Sequence, residues 1–449
     1  MAEHALVLRG GTVVDETGTR RADVVVRGSS VVAVEEGVDV PRGATVLDAG
    51  GCLVTPGFVD LHTHLRQPGA EEAETIESGS RAAALGGYTA VLAMPNTEPA
   101  IDDAAVAGEV LSLGEKALCQ VMVAGAITVG RRGEHLAAMG ELAALGVRLF
   151  TDDGAGVQDA AVMRRAMEYA RGLGVIVAEH CEVAELAAGA CMHEGAWSSW
   201  LGVAGMPAEA EEVMVARDIA LCRLTGARVH FLHLSTGRSL AMVAAARAEG
   251  LPVSAEVTPH HLSLTDGALA GYDPLYKVNP PLRPAAEVRA LRRGCADGLV
   301  DAVATDHAPH PAERKDTTLD DAAPGMLGLE TALPVVLGAL GPADGAPADD
   351  SGAEPAGMAI ADVLALLSWR PARLLGVTPG DGGEQGGPVA AGAPANLCVV
   401  DPAATWELDP GRLASRSRNT PWAGRSLRGR VRHTVRRGEA VVIDAEAQR

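Results

Sequence analysis

The chain has 449 residues, a formal net charge of −20, 47% hydrophobic residues and 13 histidines. That length predicts a large catalytic body with a smaller unit beside it, with enough apolar content to fill both. The acidic balance argues against nucleic-acid binding as the main task, and charges or Gly/Pro break the apolar runs before they reach a membrane-spanning length.

The amino terminus has no basic segment followed by an apolar core, so no secretion signal is expected. The seven cysteines (Cys52, Cys119, Cys181, Cys191, Cys222, Cys295 and Cys398) are scattered, with no Cys-x-x-Cys pair. This predicts reduced thiols in a cytoplasmic protein. Only three lysines occur: Lys116, Lys277 and Lys315.

Residues 5–54 read as short strands around Leu6-Val7-Leu8, Thr12-Val13-Val14, 23–26 and 30–34, separated by Gly-containing turns. Residues 396–400 and 430–435 look like more of the same. The expectation is a small β-sandwich assembled from both termini, 1–54 and 381–449, around an insert over 55–380. The arginines of the last forty residues are interleaved with apolar residues at strand spacing, which predicts a strand face pairing with the acidic body.

The insert opens on Val54-Thr55-Pro56-Gly57-Phe58-Val59-Asp60-Leu61-His62-Thr63-His64-Leu65-Arg66. On a strand, His62 and His64 point the same way, and two same-side imidazoles can grip one divalent ion. Arg66 beside them can hold an anionic group through a bidentate pair. A His-x-His alone is weak evidence in a histidine-containing chain of this size, so its context decides.

Further apolar runs follow at 88–94, 120–127, 147–150, 175–178, 229–234, 252–257 and 300–304, alternating with helical stretches such as 159–171 and 208–224. Eight strand-plus-helix units predict a (β/α)8 TIM barrel, whose reacting groups lie at the strand C-termini. The runs end in His62 and His64; in Met94-Pro95-Asn96; in Thr151-Asp152-Asp153-Gly154; in Glu179-His180-Cys181-Glu182; in His233-Leu234-Ser235; and in Thr305-Asp306-His307-Ala308-Pro309-His310. Four histidines and two aspartates at one rim form an N/O donor set for one or two divalent metals. Residues 341–357 are of low complexity and are expected to be a mobile surface loop.

Taken together, these motifs resemble the amidohydrolase superfamily and, within it, the class I bacterial dihydroorotases. The superfamily signatures are the His-x-His pair and Thr305-Asp306-His307-Ala308-Pro309. The more specific ones are His64-Leu65-Arg66, Met94-Pro95-Asn96-Thr97 and Asn279-Pro280-Pro281-Leu282-Arg283. Phe150-Thr151-Asp152-Asp153-Gly154, Gly328-Leu329-Glu330-Thr331 and Asn419-Thr420-Pro421 extend the resemblance over nearly the whole chain.

The resemblance implies a zinc enzyme that interconverts dihydroorotate and N-carbamoyl-L-aspartate in pyrimidine synthesis, with one or two ions per subunit. His62, His64 and Asp306 would hold the first ion, His180 and His233 the second, with Asp153 between them. Metal coordination lowers the pKa of a water from 15.7 to about 7, and Asp306 would act as general acid and base. Arg66, Asn96 and His310, with His64 beside them, would bind the substrate carboxylate. Asn279 and the backbone around Pro324 and Gly325 would meet the ring amides. The family usually has an aromatic residue where this chain has Pro324, so the shape of that loop is expected to differ.

Many relatives, among them hydantoinases, allantoinases and animal-type dihydroorotases, bridge their metals with a carboxylated lysine at the end of strand four. None of the three lysines lies there, and Asp153 fills the place, while Asp152 is expected to turn away. An allantoinase or hydantoinase, and a non-catalytic partner of aspartate transcarbamoylase, are the alternative readings. The resemblance also admits a homodimer and a complex with aspartate transcarbamoylase. His260 and His261 are expected to pack or hydrogen-bond at the rim, Cys181 to face the core, and His307 to point away from the barrel axis.

Overall fold

The structure, a computed structural model, describes residues 5–342 and 351–449. Eight strands form its centre: β1 (Phe58–Thr63), β2 (Tyr88–Ala93), β3 (Gln120–Val123), β4 (Leu149–Phe150), β5 (Ile176–Glu179), β6 (Arg228–Phe231), β7 (Val253–Val257) and β8 (Ala302–Val303). All their pairings are parallel, in the orders β3-β2-β1 and β4-β5-β6-β7-β8. Parallel bridges Gly125↔Phe150 and Thr63↔His307 join the two sheets at both ends, so the strands follow chain order around a ring.

Every residue of β1, β2, β5 and β7 is buried. Alternate residues fall in separate apolar clusters: Val59, Leu61, Ala90 and Leu92 in one, Phe58, Val91 and Ala93 in another. Both faces of these strands are covered, as parallel sheets require. Some strands stop earlier than their apolar runs. The run 120–127 keeps sheet pairing as far as Gly125, and beyond it Asp152 accepts the Ile127 and Thr128 N–H groups at 2.8 and 3.0 Å.

The helices begin and end where the capping chemistry directs. Asp159 accepts the Ala161 and Val162 N–H groups and starts Ala160–Leu173, which Gly174 ends at φ 72°. The helix Glu209–Thr225 likewise ends on Gly226 at φ 70°.

The two termini share one sheet. Leu397–Glu407 pairs antiparallel with both Leu53–Pro56 and Ser426–Arg436, and Leu53–Pro56 pairs parallel with Thr12–Asp15. A second, four-stranded sheet holds Ala5–Arg9, Asp23–Arg27, Ser30–Glu35 and Thr45–Asp48. Leu6, Leu8, Val24, Val54, Leu397, Val399 and Val435 share an apolar cluster. The division expected after residue 54 falls inside strand Leu53–Pro56, which runs into β1 through Gly57. A Cβ on Gly57 would meet Thr89 Oγ1 at 2.1 Å, so only glycine lets the chain pass that closely. The C-terminal arginines are partly paired: Arg432 reaches Asp444 at 3.0 Å and Asp48 at 3.1 Å, and Arg437 reaches Glu384 at 2.7 Å.

Residues 343–350 of the expected loop over 341–357 lie outside the described residues. The following stretch differs from a free surface loop, because buried Arg292 donates to Ser351 Oγ, Ala353 O and Glu354 O at 3.1, 2.6 and 2.9 Å. No helix among the described residues is long and apolar enough to cross a membrane, and all seven cysteines are free and buried.

Candidate metal and active site

The strand ends bring six side chains into one buried cluster. Asp153 Oδ1 lies 3.4 Å from His62 Nε2 and 3.5 Å from both His180 Nδ1 and His233 Nε2. Its other oxygen is 3.6 Å from His64 Nε2. Asp306 Oδ1 lies 3.1 Å from His64 Nε2 and 3.6 Å from His62 Nε2. Two donor groups therefore share Asp153: His62, His64 and Asp153 on one side, and Asp153, His180 and His233 on the other. Asp152 turns away, as expected, to hold the 127–128 backbone.

Three residues around the cluster adopt the left-handed backbone region without being glycine: Arg66 at φ 60°, His233 at φ 31° and Asp306 at φ 46°. Such conformations persist only where packing enforces them, and they collect at functional sites. Here each aims a side chain at the strand rim.

The imidazoles are oriented from behind. His62 Nδ1 meets Glu256 Oε1 at 3.0 Å, leaving Nε2 buried without a hydrogen-bond partner and facing Asp153. Asn96 Oδ1 accepts from His64 Nδ1 at 2.9 Å, which turns His64 Nε2 toward Asp306. His180 Nε2 is 3.4 Å from Glu182 Oε2, to which Asn279 Nδ2 donates at 2.8 Å.

Charge follows this geometry. Burial raises the cost of ionising Asp153 and Asp306, yet the surrounding imidazoles hold both well below the usual carboxylate range. Burial opposes protonation of His180, but Asp153 and Glu182 drive it up to about 10. His64 goes the other way, lowered by burial and by the Arg66 charge.

At the edge, Arg66 Nε donates to Pro309 O at 3.2 Å and Arg66 Nη2 lies 3.5 Å from His310 Nε2. Burial and Arg66 push His310 down to about 3, so its ring is neutral. The neutral ring donates from Nε2 to Pro324 O at 2.8 Å. Asn279, Pro324 and Glu182 line a cavity of about 190 Å³ together with Met206 and Pro281. Gly325 lies at φ +130°, where a Cβ would meet Ala308 Cβ at 2.6 Å. Its N–H is taken by Lys277 O at 2.8 Å, so the backbone at Pro324 and Gly325 offers no free N–H donor.

His261 bonds Thr258 Oγ1 and Pro280 O at 2.8 and 3.0 Å, and His260 is buried with Nε2 unpartnered. Cys181 belongs to the apolar core. His307 turns to Glu74 at 3.3 Å and accepts the Gly328 N–H at 3.1 Å. Reading the sequence missed Glu256 and Glu182, although a glutamate within the apolar run 252–257 is itself a signal, since a buried strand carboxylate requires a partner.

A curated dihydroorotase of Anaeromyxobacter dehalogenans (strain 2CP-C) is 48% identical, covering 99% of each chain. Those of Streptomyces coelicolor and Mycobacterium tuberculosis are 47% and 46% identical, covering 98% and 95% of this chain and 99% and 96% of their own. The chain belongs to the dihydroorotase family. A family model described as Dihydro-orotase-like matches residues 51–239. Among solved structures, the L-hydantoinase (dihydropyrimidinase) of Arthrobacter aurescens aligns with a TM-score of 0.85 at 23% identity over 100% of this chain and 98% of its own. The dihydropyrimidinase of Brevibacillus agri NCHU1002 aligns with a TM-score of 0.83 at 23% identity, covering 99% and 96%. At that identity the likeness is one of fold, and this dihydroorotase-family chain shares the mixed α/β architecture of these enzymes.

Proposed function

We propose that the chain is a zinc-dependent dihydroorotase that interconverts (S)-dihydroorotate and N-carbamoyl-L-aspartate in de novo pyrimidine biosynthesis. The observation that carries the reading is Asp153, whose Oδ1 stands within 3.4–3.5 Å of three imidazole nitrogens. The donors fit zinc: buried imidazole and carboxylate groups converge, and His62 Nε2 has no other partner. His62, His64 and Asp306 would hold one ion and His180 and His233 a second, with Asp153 within reach of both groups. When bound, the ions supply a water acidic enough to be nucleophilic near neutral pH and polarise the carbonyl under attack.

The protein's own residues do the rest. Asp306, ionised because His62 and His64 offset its burial, accepts a proton from the attacking water. The water oxygen bonds to the ring carbonyl carbon and the carbon–nitrogen bond breaks. Asp306 then returns the proton to the departing nitrogen, which leaves as the ureido NH2. Arg66 and Asn96, with His64 beside them, bind the carboxylate; His310 joins them from Nδ1 when the arriving anion stabilises its protonated ring, its Nε2–H staying on Pro324 O. Asn279, Pro324 and Gly325 border the ring. Holding the ring by its carboxylate fixes the scissile amide against the reacting groups.

Residues 57–380 form a (β/α)8 barrel, and 1–56 with 381–449 a β-sandwich, the boundary lying past strand Leu53–Pro56 rather than inside it. The strand ring, the shared terminal sheet and the fold likeness support this division. The reaction is assigned to the cytoplasm, in keeping with seven free thiols, and a homodimer and a complex with aspartate transcarbamoylase are the assemblies to examine.

A substrate panel tests the assignment. Dihydroorotate turns over, whereas allantoin, hydantoin and dihydrouracil, which lack a ring carboxylate, turn over far more slowly. Faster turnover of an uncharged ring would replace this reading with a hydantoinase-type activity. Zinc binding without turnover of any ring would favour the scaffold role.

A further inference from the structure

Two of the chain's three lysines, Lys277 and Lys315, are buried against the loop that joins His310 to Gly325. Among the described residues, their ammonium groups bond backbone carbonyls only. Lys277 Nζ donates to Leu319 O and Asp320 O at 2.7 and 2.9 Å. Lys315 Nζ donates to Lys277 O, Ala323 O and Gly325 O at 3.3, 2.9 and 3.0 Å.

This is an expensive way to satisfy a loop. Beyond the short helix Ala312–Lys315 the backbone to Gly325 is irregular, so its buried carbonyls need donors from elsewhere. An ammonium carries three donors and no acceptor, which suits three converging carbonyls. Water could solvate a surface loop without desolvating a charge. Burial and the neighbouring Lys277 charge push Lys315 down to about 7, a measure of that cost.

The segment so held sets His310 from two sides. The His310 ring rests on Pro324 O at 2.8 Å. Its backbone N–H donates to Asn419 Oδ1 at 3.1 Å, and Asn419 Nδ2 donates to Ala308 O and to the same Gly325 carbonyl that Lys315 holds, at 2.9 and 3.1 Å. Ring and backbone of His310 are thus both registered against the Ala323–Gly325 stretch.

We infer that Lys315 is a positioning residue for substrate binding: its ammonium fixes the Ala323–Gly325 backbone, and that backbone sets where His310 presents its ring to the substrate carboxylate. The inference rests on the dihydroorotase reading. Lys315 touches no reacting atom, so its removal weakens capture of the carboxylate more than the chemical step.

The test is a double-mutant cycle on the full-length, zinc-loaded enzyme with Lys315→Met, His310→Ala and the pair, reading KM and kcat for dihydroorotate. Lys315→Met alone raises KM about tenfold with kcat within about threefold, and adds nothing further to KM in the His310→Ala background. Lys315→Arg, which keeps the charge, recovers most of the KM. An unchanged KM, or an equal rise in both backgrounds, overturns the inference and leaves Lys315 a purely structural residue. If Lys315→Met does not fold, Lys315→Gln goes through the same cycle with the same criterion. The unmodified enzyme separates the two failures: if it has no activity on dihydroorotate the functional reading falls, and if it is active while the cycle is flat only the inference falls.

Discussion

The carboxylate of Glu256 joins two imidazoles, His62 Nδ1 at 3.0 Å on one oxygen and His230 Nε2 at 3.1 Å on the other. His230 Nδ1 is in turn 2.8 Å from Ser254 Oγ. The chain Ser254–His230–Glu256–His62 lies entirely within the strand ring and ends at the nitrogen that faces Asp153. It fixes the His62 tautomer and ring plane, the role a carboxylate plays behind a metal-binding histidine.

Glu256→Gln therefore weakens zinc affinity about 10–100-fold without removing a ligand, as competition with a chromophoric chelator would measure. In the metal-free protein it also changes the acid response. Burial opposes ionisation of Glu256, but His230 and His62 bring it down to about 2 from 4.5. The folded state thus holds its proton less tightly than the unfolded chain. The stability this contributes is present above pH 4.5 and is lost as pH falls through about 2. Thermal unfolding of the metal-free protein should lose stability across that interval, and less steeply in Glu256→Gln.

Asp306→Asn lowers kcat on the order of 10²–10⁴-fold at unchanged zinc content, since the amide cannot accept the proton. Metal analysis of the same preparation used for kinetics separates a lost base from a lost ion. Retained turnover would remove Asp306 from the proton transfer.

Arg66→Met raises KM for dihydroorotate on the order of a hundredfold, because it deletes the charged donor that receives the carboxylate. Uncharged cyclic amides should be almost unaffected. An equal loss on both kinds of ring would mean that Arg66 supports the loop through Pro309 rather than the substrate.

In the protein without substrate His310 stays neutral from about pH 5 to 8, since burial and Arg66 hold it at about 3. Following the ring resonances by NMR from about pH 5 to 8 should leave His310 unshifted.

The six rim residues were legible because each closes an apolar run, and a parallel strand presents its last residues at one edge. Asp153 was chosen over Asp152 by the resemblance to the dihydroorotase pattern, since strand Leu149–Phe150 ends before both, and the absence of lysine there was plain in the sequence. What supports the rim was not legible. Glu256 and His230 lie on different strands, and nothing local says that their side chains meet. The Lys315 ammonium is matched by carbonyls, which every residue carries, so no partner pattern can be read from residue types. The backbone just beyond β3 and β8 is held by side-chain acceptors such as Asp152 and Asp60. The hold of Arg292 on residues 351–354 was hidden by composition, which suggested only a mobile loop.

The most direct measurement is the ultraviolet-monitored ring-opening of dihydroorotate by the purified chain, before chelation, after chelation and after zinc is added back. The account predicts turnover that disappears with the metal and returns with zinc. Turnover that survives complete metal removal, or silence with zinc bound and aspartate transcarbamoylase present, would contradict it.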